Sequence, residues 1–149
     1  MKYTLVIFVF TLFISCNDSE ETDFAVKNEM EIQEYITANN LNAQKSATGL
    51  YYVVNEEGTG EQPTTASNVT VAYKGYFTDN SVFDQSGAEG ISFNLQQVIA
   101  GWTEGITYFK EGGSGILLVP SALGYGSSSR AGIPGGSVLI FEVDLVEVN

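Results

Sequence analysis

Three kinds of hydrophobic pattern follow one another along the chain. Thr4 to Ser15 is an unbroken stretch of apolar and small residues behind the short positive start Met1-Lys2-Tyr3; it stops at Cys16, after which Asn17-Asp18-Ser19-Glu20-Glu21 is wholly polar. At twelve residues the stretch is shorter than the ~20 that a bilayer-spanning helix requires, so it predicts the apolar segment of a signal peptide over residues 1–15. Val26, Met30, Ile32, Tyr35 and Ile36 then recur at loosely helical intervals among acids and amides, which predicts one short amphipathic linker helix between Phe24 and Asn40. From Gly49 onward the period changes to two.

Leu50-Tyr51-Tyr52-Val53-Val54 is rich in strand formers and is closed by Asn55-Glu56-Glu57-Gly58-Thr59-Gly60. In Val69-Thr70-Val71-Ala72-Tyr73-Lys74 the large apolar side chains fall on odd positions, so Tyr73 is expected to face inward. Thr78-Asp79-Asn80-Ser81 is turn chemistry that returns the chain through Val82-Phe83-Asp84, and Ile91-Ser92-Phe93 alternates again. Val98 to Tyr108, broken by Gly101 and Gly105, predicts a second short helix. Ile116-Leu117-Leu118-Val119 is a continuous apolar run stopped by Pro120, the pattern of a strand buried on both faces. Val138 to Val148 closes the chain with Leu139, Phe141, Val143 and Leu145 on one side and Glu142 and Asp144 on the other. Between these last two strands, Ser121 to Gly136 is a sixteen-residue stretch with five glycines and no period of its own, the mark of a functional or mobile loop. Together the elements predict an α+β domain over residues 49–149: a curled antiparallel sheet of five to six strands wrapped around one short helix, preceded over residues 16–48 by an acidic tether containing the linker helix.

Composition narrows the chemistry. The formal net charge is −12, and removal of residues 1–15 takes away Lys2 and leaves five basic against 18 acidic groups, so nucleic acid is not expected as a partner. Seven of the acids lie between Asp18 and Glu34, a charge run that reads as a solvated tether. The absence of histidine excludes Ser-His-Asp and Cys-His arrangements and histidine zinc sites; one cysteine excludes thiolate clusters and an internal disulfide. No Asp-x-Asp-x-Asp loop is present, and neither metal nor cofactor is expected. Phe13-Ile14-Ser15-Cys16 resembles the lipobox of bacterial lipoproteins, with Phe13 where leucine is usual. That resemblance implies lipidation of Cys16 and anchoring to a membrane; the alternative is a stray cysteine beside an ordinary cleavage site and a soluble periplasmic product. The acids just behind Cys16 resemble the surface-export signal of Bacteroidetes lipoproteins, so the periplasmic face and the cell surface both stay open as destinations.

The inward or pocket-edge candidates are Tyr73, Phe83, Asp84, Ile91, Phe93, Val98, Ile99, Trp102, Tyr125, Ile133 and Phe141. All but one are apolar or aromatic, which fits a pocket for an apolar, ring-shaped group. Taken singly each has an ordinary reading: Trp102 as core, Asp84 as a strand-end carboxylate, Tyr125 as a loop aromatic.

Their joint placement changes the balance. Val71-Ala72-Tyr73-Lys74-Gly75, Val82-Phe83-Asp84-Gln85-Ser86, Phe93 to Trp102, Pro120-Ser121-Ala122-Leu123-Gly124-Tyr125-Gly126, Gly132-Ile133-Pro134 and Leu139-Ile140-Phe141-Glu142-Val143 resemble, in family order, successive blocks of FKBP-type peptidyl-prolyl cis-trans isomerases. The resemblance implies catalytic roles for Asp84, Tyr125, Trp102 and Phe141, with the indole of Trp102 as the floor on which a proline ring rests. It implies substrate binding by Tyr73, Phe83, Ile91, Phe93, Val98, Ile99 and Ile133, the last with Ile91 on the rim, and a hydrogen bond from the Ile99 backbone N–H to a substrate carbonyl. Proline-containing polypeptides are the implied substrates, macrolides the implied inhibitors, and a monomer the expected state. The chain departs from the family at Ala100, where proline is frequent, at Gly124, commonly alanine, and at Gly135-Gly136 after Pro134; the added glycine predicts a looser loop around Ile133.

A proline-rotating enzyme needs no general base, since the barrier of about 18–20 kcal/mol is amide resonance and no bond breaks. The expected function is therefore acceleration of Xaa-Pro rotation in exported proteins. The alternatives are a proline-binding or chaperone module without useful turnover, which retention of Trp102, Tyr125, Asp84 and Phe141 disfavours, and an acidic adhesion lipoprotein that uses the domain as a scaffold.

Overall fold

The computed structural model describes residues 18–149; the expected signal peptide and the lipidation at Cys16 lie outside the described residues. In chain order the elements are α1 (Asp18–Ala38), β1 (Gln44–Lys45), β2 (Tyr51–Glu56), β3 (Asn68–Tyr76), β4 (Val82–Gln85), β5 (Ile91–Asn94), α2 (Ala100–Gly105), β6 (Ser114–Val119) and β7 (Leu139–Val148), with single 3-10 turns at Leu95–Gln97, Ile106–Tyr108 and Ser121–Leu123. The strands form one antiparallel sheet of order β1-β2-β6-β7-β3-β4. One edge of β3 is shared: β5 pairs with its first half and β4 with its second, while β7 runs along the other edge. The register slips between Thr70 and Val71 against β7, a bulge of the kind that bends a strand and lets a sheet curl.

The seventh strand beyond the five or six expected is β1, two exposed polar residues paired with Lys45 opposite Tyr51. Nothing alternates in Gln44-Lys45, so no period announces it.

The inner face of the sheet closes over α2. Val69 and Val71 of β3, Leu117 and Val119 of β6, and Leu139, Phe141, Val143 and Leu145 of β7 bury against Trp102 and Ile106 and form one core with Leu50, Leu95 and Phe109. The alternation in β3 and β7 is therefore obeyed, and Tyr73 points inward as expected.

The continuous run in β6 has its explanation on the other face. Leu118 cannot reach the inner core while Leu117 and Val119 do, yet it is fully buried because α1 lies across the outer face and packs Ile32 against Leu118, Tyr51 and Val138. The linker helix is thus a docked element. Its buried stripe also differs from the expected one: Asn28 and Ile32 are buried, with Phe24, Tyr35 and Ile36 half-buried, whereas Val26 and Met30 stand 60% and 59% exposed. Spacing of four, four, three and one from Phe24 defines the inward face, and a polar asparagine at its centre conceals it from a reading based on apolar residues alone. Polar contacts reinforce the docking: the Tyr51 hydroxyl donates to Glu29 Oε1 at 2.6 Å, and Lys45 pairs with the same carboxylate at 2.9 Å.

Candidate active site

Local structure delivers each side chain for a separate reason. Tyr73 and Phe141 are inward positions of the paired strands β3 and β7, Tyr73 opposite Val143 and Phe141 opposite Gly75. Gly75, paired with Phe141, shows how tight the packing is: a Cβ there would lie 2.7 Å from the Phe83 ring and 2.9 Å from that of Phe141. Removing that one carbon lets both rings close over β3. Val98 and Ile99 sit on the extended turn between the 3-10 segment and α2, and Trp102 is buried on the first turn of α2.

These groups enclose a cavity of about 520 Å³, within the range of small-molecule sites. Trp102, 5% exposed, forms its floor. Tyr73 stands at 90° to the indole with ring centres 5.0 Å apart, Phe141 at 83° and 5.2 Å, and Phe93 at 51° and 5.3 Å. The near-perpendicular contacts with Tyr73 and Phe141 are of the edge-to-face kind that aromatic pairs favour, and with the tilted Phe93 they hold the indole in place. Phe83 props Phe141 from behind at 89° and 5.6 Å. The indole N–H, buried at the floor, is the one such side-chain atom among the described residues without a hydrogen-bond partner, a rarity that concentrates at working sites.

The remaining polar groups are few and belong to partly or fully exposed residues. The Tyr73 hydroxyl donates to Asp84 Oδ2 at 2.6 Å, and the other Asp84 oxygen accepts the Gln85 N–H at 2.9 Å. Both oxygens of an exposed carboxylate are thereby fixed at the cavity edge. Burial, and then the Asp84 carboxylate, push the Tyr73 phenol above its ordinary value, so it remains a donor throughout the physiological range. Tyr125, 38% exposed, gives its hydroxyl to no described residue, and the Ile99 N–H likewise meets no acceptor among them. Two donors therefore stand unused at the mouth of an apolar box.

Ten of the eleven candidates read from the sequence line this cavity, with Ile91 half exposed at the edge. Ile133 does not. The resemblance implied a rim position for it, but the side chain is turned into the core and is 6% exposed, because the Arg130–Ile133 bridge folds the loop tip back on itself. Three lining residues were missed: Gln97, Gly124 and Arg130. Gln97 and Arg130 are exposed polar residues, and Gly124 has no side chain to signal a pocket; the only hint was that Arg130 is the chain's sole arginine, set in an unpatterned loop.

Residues 59–146 match the sequence model of the family described as FKBP-type peptidyl-prolyl cis-trans isomerase. The chain belongs to that family. It is 42% identical over 128 residues to the FKBP-type peptidyl-prolyl cis-trans isomerase FkpA of Escherichia coli strain K12, a match that covers 83% of this chain and 47% of FkpA. The crystal structure of Escherichia coli FkpA superposes with a TM-score of 0.76 at 38% identity, covering 88% of this chain and 63% of that one. A peptidyl-prolyl cis-trans isomerase from Pseudomonas syringae superposes with a TM-score of 0.73 at 29% identity over 86% of this chain and 96% of its own. The chain spans about half the length of the curated FKBP-type relatives it matches. The curled antiparallel sheet over the short α2 is the expected FKBP architecture, with one strand more than the five or six expected, and five of the six blocks contribute residues to the one cavity.

Proposed function

We propose that the protein is a peptidyl-prolyl cis-trans isomerase that accelerates Xaa-Pro rotation in exported polypeptides. The observation that carries this reading is the indole floor of Trp102, flanked at near right angles by Tyr73 and Phe141 and at a tilt by Phe93, in a largely aromatic cavity that has room for a proline ring and its flanking residues. The chemistry follows from the barrier. A planar amide is more polar than a twisted one, so water stabilises the ground state more than the transition state; removing the bond from water lowers the barrier. The Tyr125 hydroxyl and the Ile99 N–H then bind flanking carbonyls and hold the chain while the proline ring stays seated. Asp84, locked by Tyr73 and the Gln85 N–H, lies where the rotating carbonyl passes and favours its twisted form electrostatically. Each ~1.36 kcal/mol gained in this way is tenfold in rate.

The same reading makes macrolides competitive occupants of the cavity. It makes the chain a monomer exported to a bacterial membrane, lipid-anchored through Cys16 at the periplasmic face or the cell surface. The signal-like residues 1–15 and the acidic stretch behind Cys16 support that destination. A protease-coupled assay on a Xaa-Pro peptide tests the activity. Wild type above background, with Asp84→Val reduced several-fold, supports it; folded wild type at background contradicts it. Loss of fatty-acid labelling in cells on Cys16→Ala tests the anchor.

A further inference from the structure

Four hydrogen bonds close a circuit at the base of the loop Ser121 to Gly136. Asn28 Nδ2 on α1 donates to the Gly136 carbonyl at 2.8 Å, Gly136 N–H to the Gly126 carbonyl at 2.9 Å, Gly126 N–H to the Ser121 carbonyl at 2.8 Å, and Ser121 N–H back to Asn28 Oδ1 at 2.8 Å. Every loop residue that lines the cavity lies on an arc this circuit closes: Gly124 and Tyr125 between Ser121 and Gly126, Arg130 between Gly126 and Gly136. Asn28 is 1% exposed and uses both ends of its amide. At neutral pH an ionised aspartate, the side chain of matching size and shape, offers only acceptors, so asparagine alone supplies a donor and an acceptor on one such plane.

A second contact marks the same junction. One turn earlier on α1, Phe24 packs so closely on Gly136 that a Cβ there would fall 2.0 Å from its ring, which accounts for the glycine at that point of the loop. A sixteen-residue loop with five glycines has much conformational entropy to lose, and a staple at both of its ends removes most of that freedom before substrate arrives.

We propose that Asn28 is a positioning residue for the active site: α1, which lies outside the residues that match the family model, sets the reach of the Tyr125 hydroxyl and of Arg130 over the cavity through this circuit. The proposal rests on the isomerase reading for its effect on turnover, but the positioning itself is open to measurement without turnover. Asn28→Ala leaves Ser121 N–H and the Gly136 carbonyl unpaired. Asn28→Asp is more telling. Ionised, its carboxylate still accepts from Ser121 N–H but opposes the Gly136 carbonyl; protonated, it donates an O–H there and restores the circuit. Burial raises the pKa of such a carboxyl.

The full chain and both variants are compared for peptide isomerisation from about pH 8 to about pH 5.5, and for amide hydrogen exchange at Ser121, Gly126 and Gly136. Expected are an approximately tenfold lower kcat/KM for Asn28→Ala at every pH, and for Asn28→Asp a similar deficit near pH 8 that closes toward wild type on acidification. Faster exchange at the three loop amides should accompany each deficit, with β6 amides unchanged. Wild-type kcat/KM in both variants, a deficit in Asn28→Asp that ignores pH, or unchanged loop exchange would overturn the assignment. If wild type shows no turnover, the isomerase reading fails while the exchange data still decide the positioning. If Asn28→Ala does not fold, the acid-rescued Asn28→Asp supplies the folded comparison.

Discussion

Tyr73 carries two jobs in one side chain. Its ring is a wall against Trp102 and its hydroxyl fixes Asp84 at 2.6 Å. Tyr73→Phe separates them, since the ring stays and the hydrogen bond goes. Because Tyr73 is only partly buried and Asp84 is exposed, the expected loss of stability is small, about 1 kcal/mol or less. The loss of kcat/KM should be several-fold, carried by kcat, because Asp84 acts on the twisted amide and not on the seated ring. Equal chemical denaturation curves with a lowered kcat would bear this out; an unchanged kcat would remove Asp84 from the mechanism. At this scale the site was largely legible in the sequence, because Trp102, Tyr73 and Phe141 are bulky residues at fixed places in ordered blocks. Ile133 was misplaced because a rim position and a core position look alike for isoleucine. Asn28 was invisible, since its two partners lie 93 and 108 residues away and no local pattern links them.

At the scale of elements, α1 and α2 cover opposite faces of the same sheet. The unbroken run Ile116 to Val119 already stated that both faces are covered, but not by what. The loosely apolar pattern of α1 did not name the partner, since two of its five recurring apolar residues, Val26 and Met30, face solvent and its central inward residue is polar. A docked helix makes a quantitative claim that a tether does not. Ile32→Ala should lower the unfolding free energy by about 2–4 kcal/mol, as for other fully buried isoleucines, and do so in a single cooperative transition shared with the sheet. A change within about 0.5 kcal/mol in urea denaturation would mean that α1 undocks freely.

Across the whole molecule, acids outnumber bases three to one and no histidine titrates, so neutral pH holds little of the pH dependence. The alkaline limb holds more. Tyr73, Tyr76 and Tyr108 all have phenols raised above the ordinary 10.0, chiefly by burial and then by hydrogen bonds involving Asp84, Tyr35 and Glu104 respectively, with Tyr108 at about 12. The unfolded chain releases these protons near pH 10 while the folded chain keeps them. Their contribution to stability is therefore complete below about pH 10 and is lost as pH rises through the folded values. Denaturation midpoints should hold level from about pH 8 to about pH 9.5 and fall by about pH 11; a flat profile across that range would contradict the burial of these phenols. The cavity as a unit can be tested without a protease. A short Xaa-Pro peptide interconverts over tens to hundreds of seconds, so its cis and trans proline signals are separate and sharp in NMR spectra. A catalytic amount of wild-type protein is predicted to produce exchange cross-peaks between them, reduced about tenfold or more by Trp102→Leu in a protein whose circular dichroism is unchanged. Cross-peaks that fail to appear with folded wild type, or that persist undiminished in Trp102→Leu, would contradict an indole-floored prolyl site.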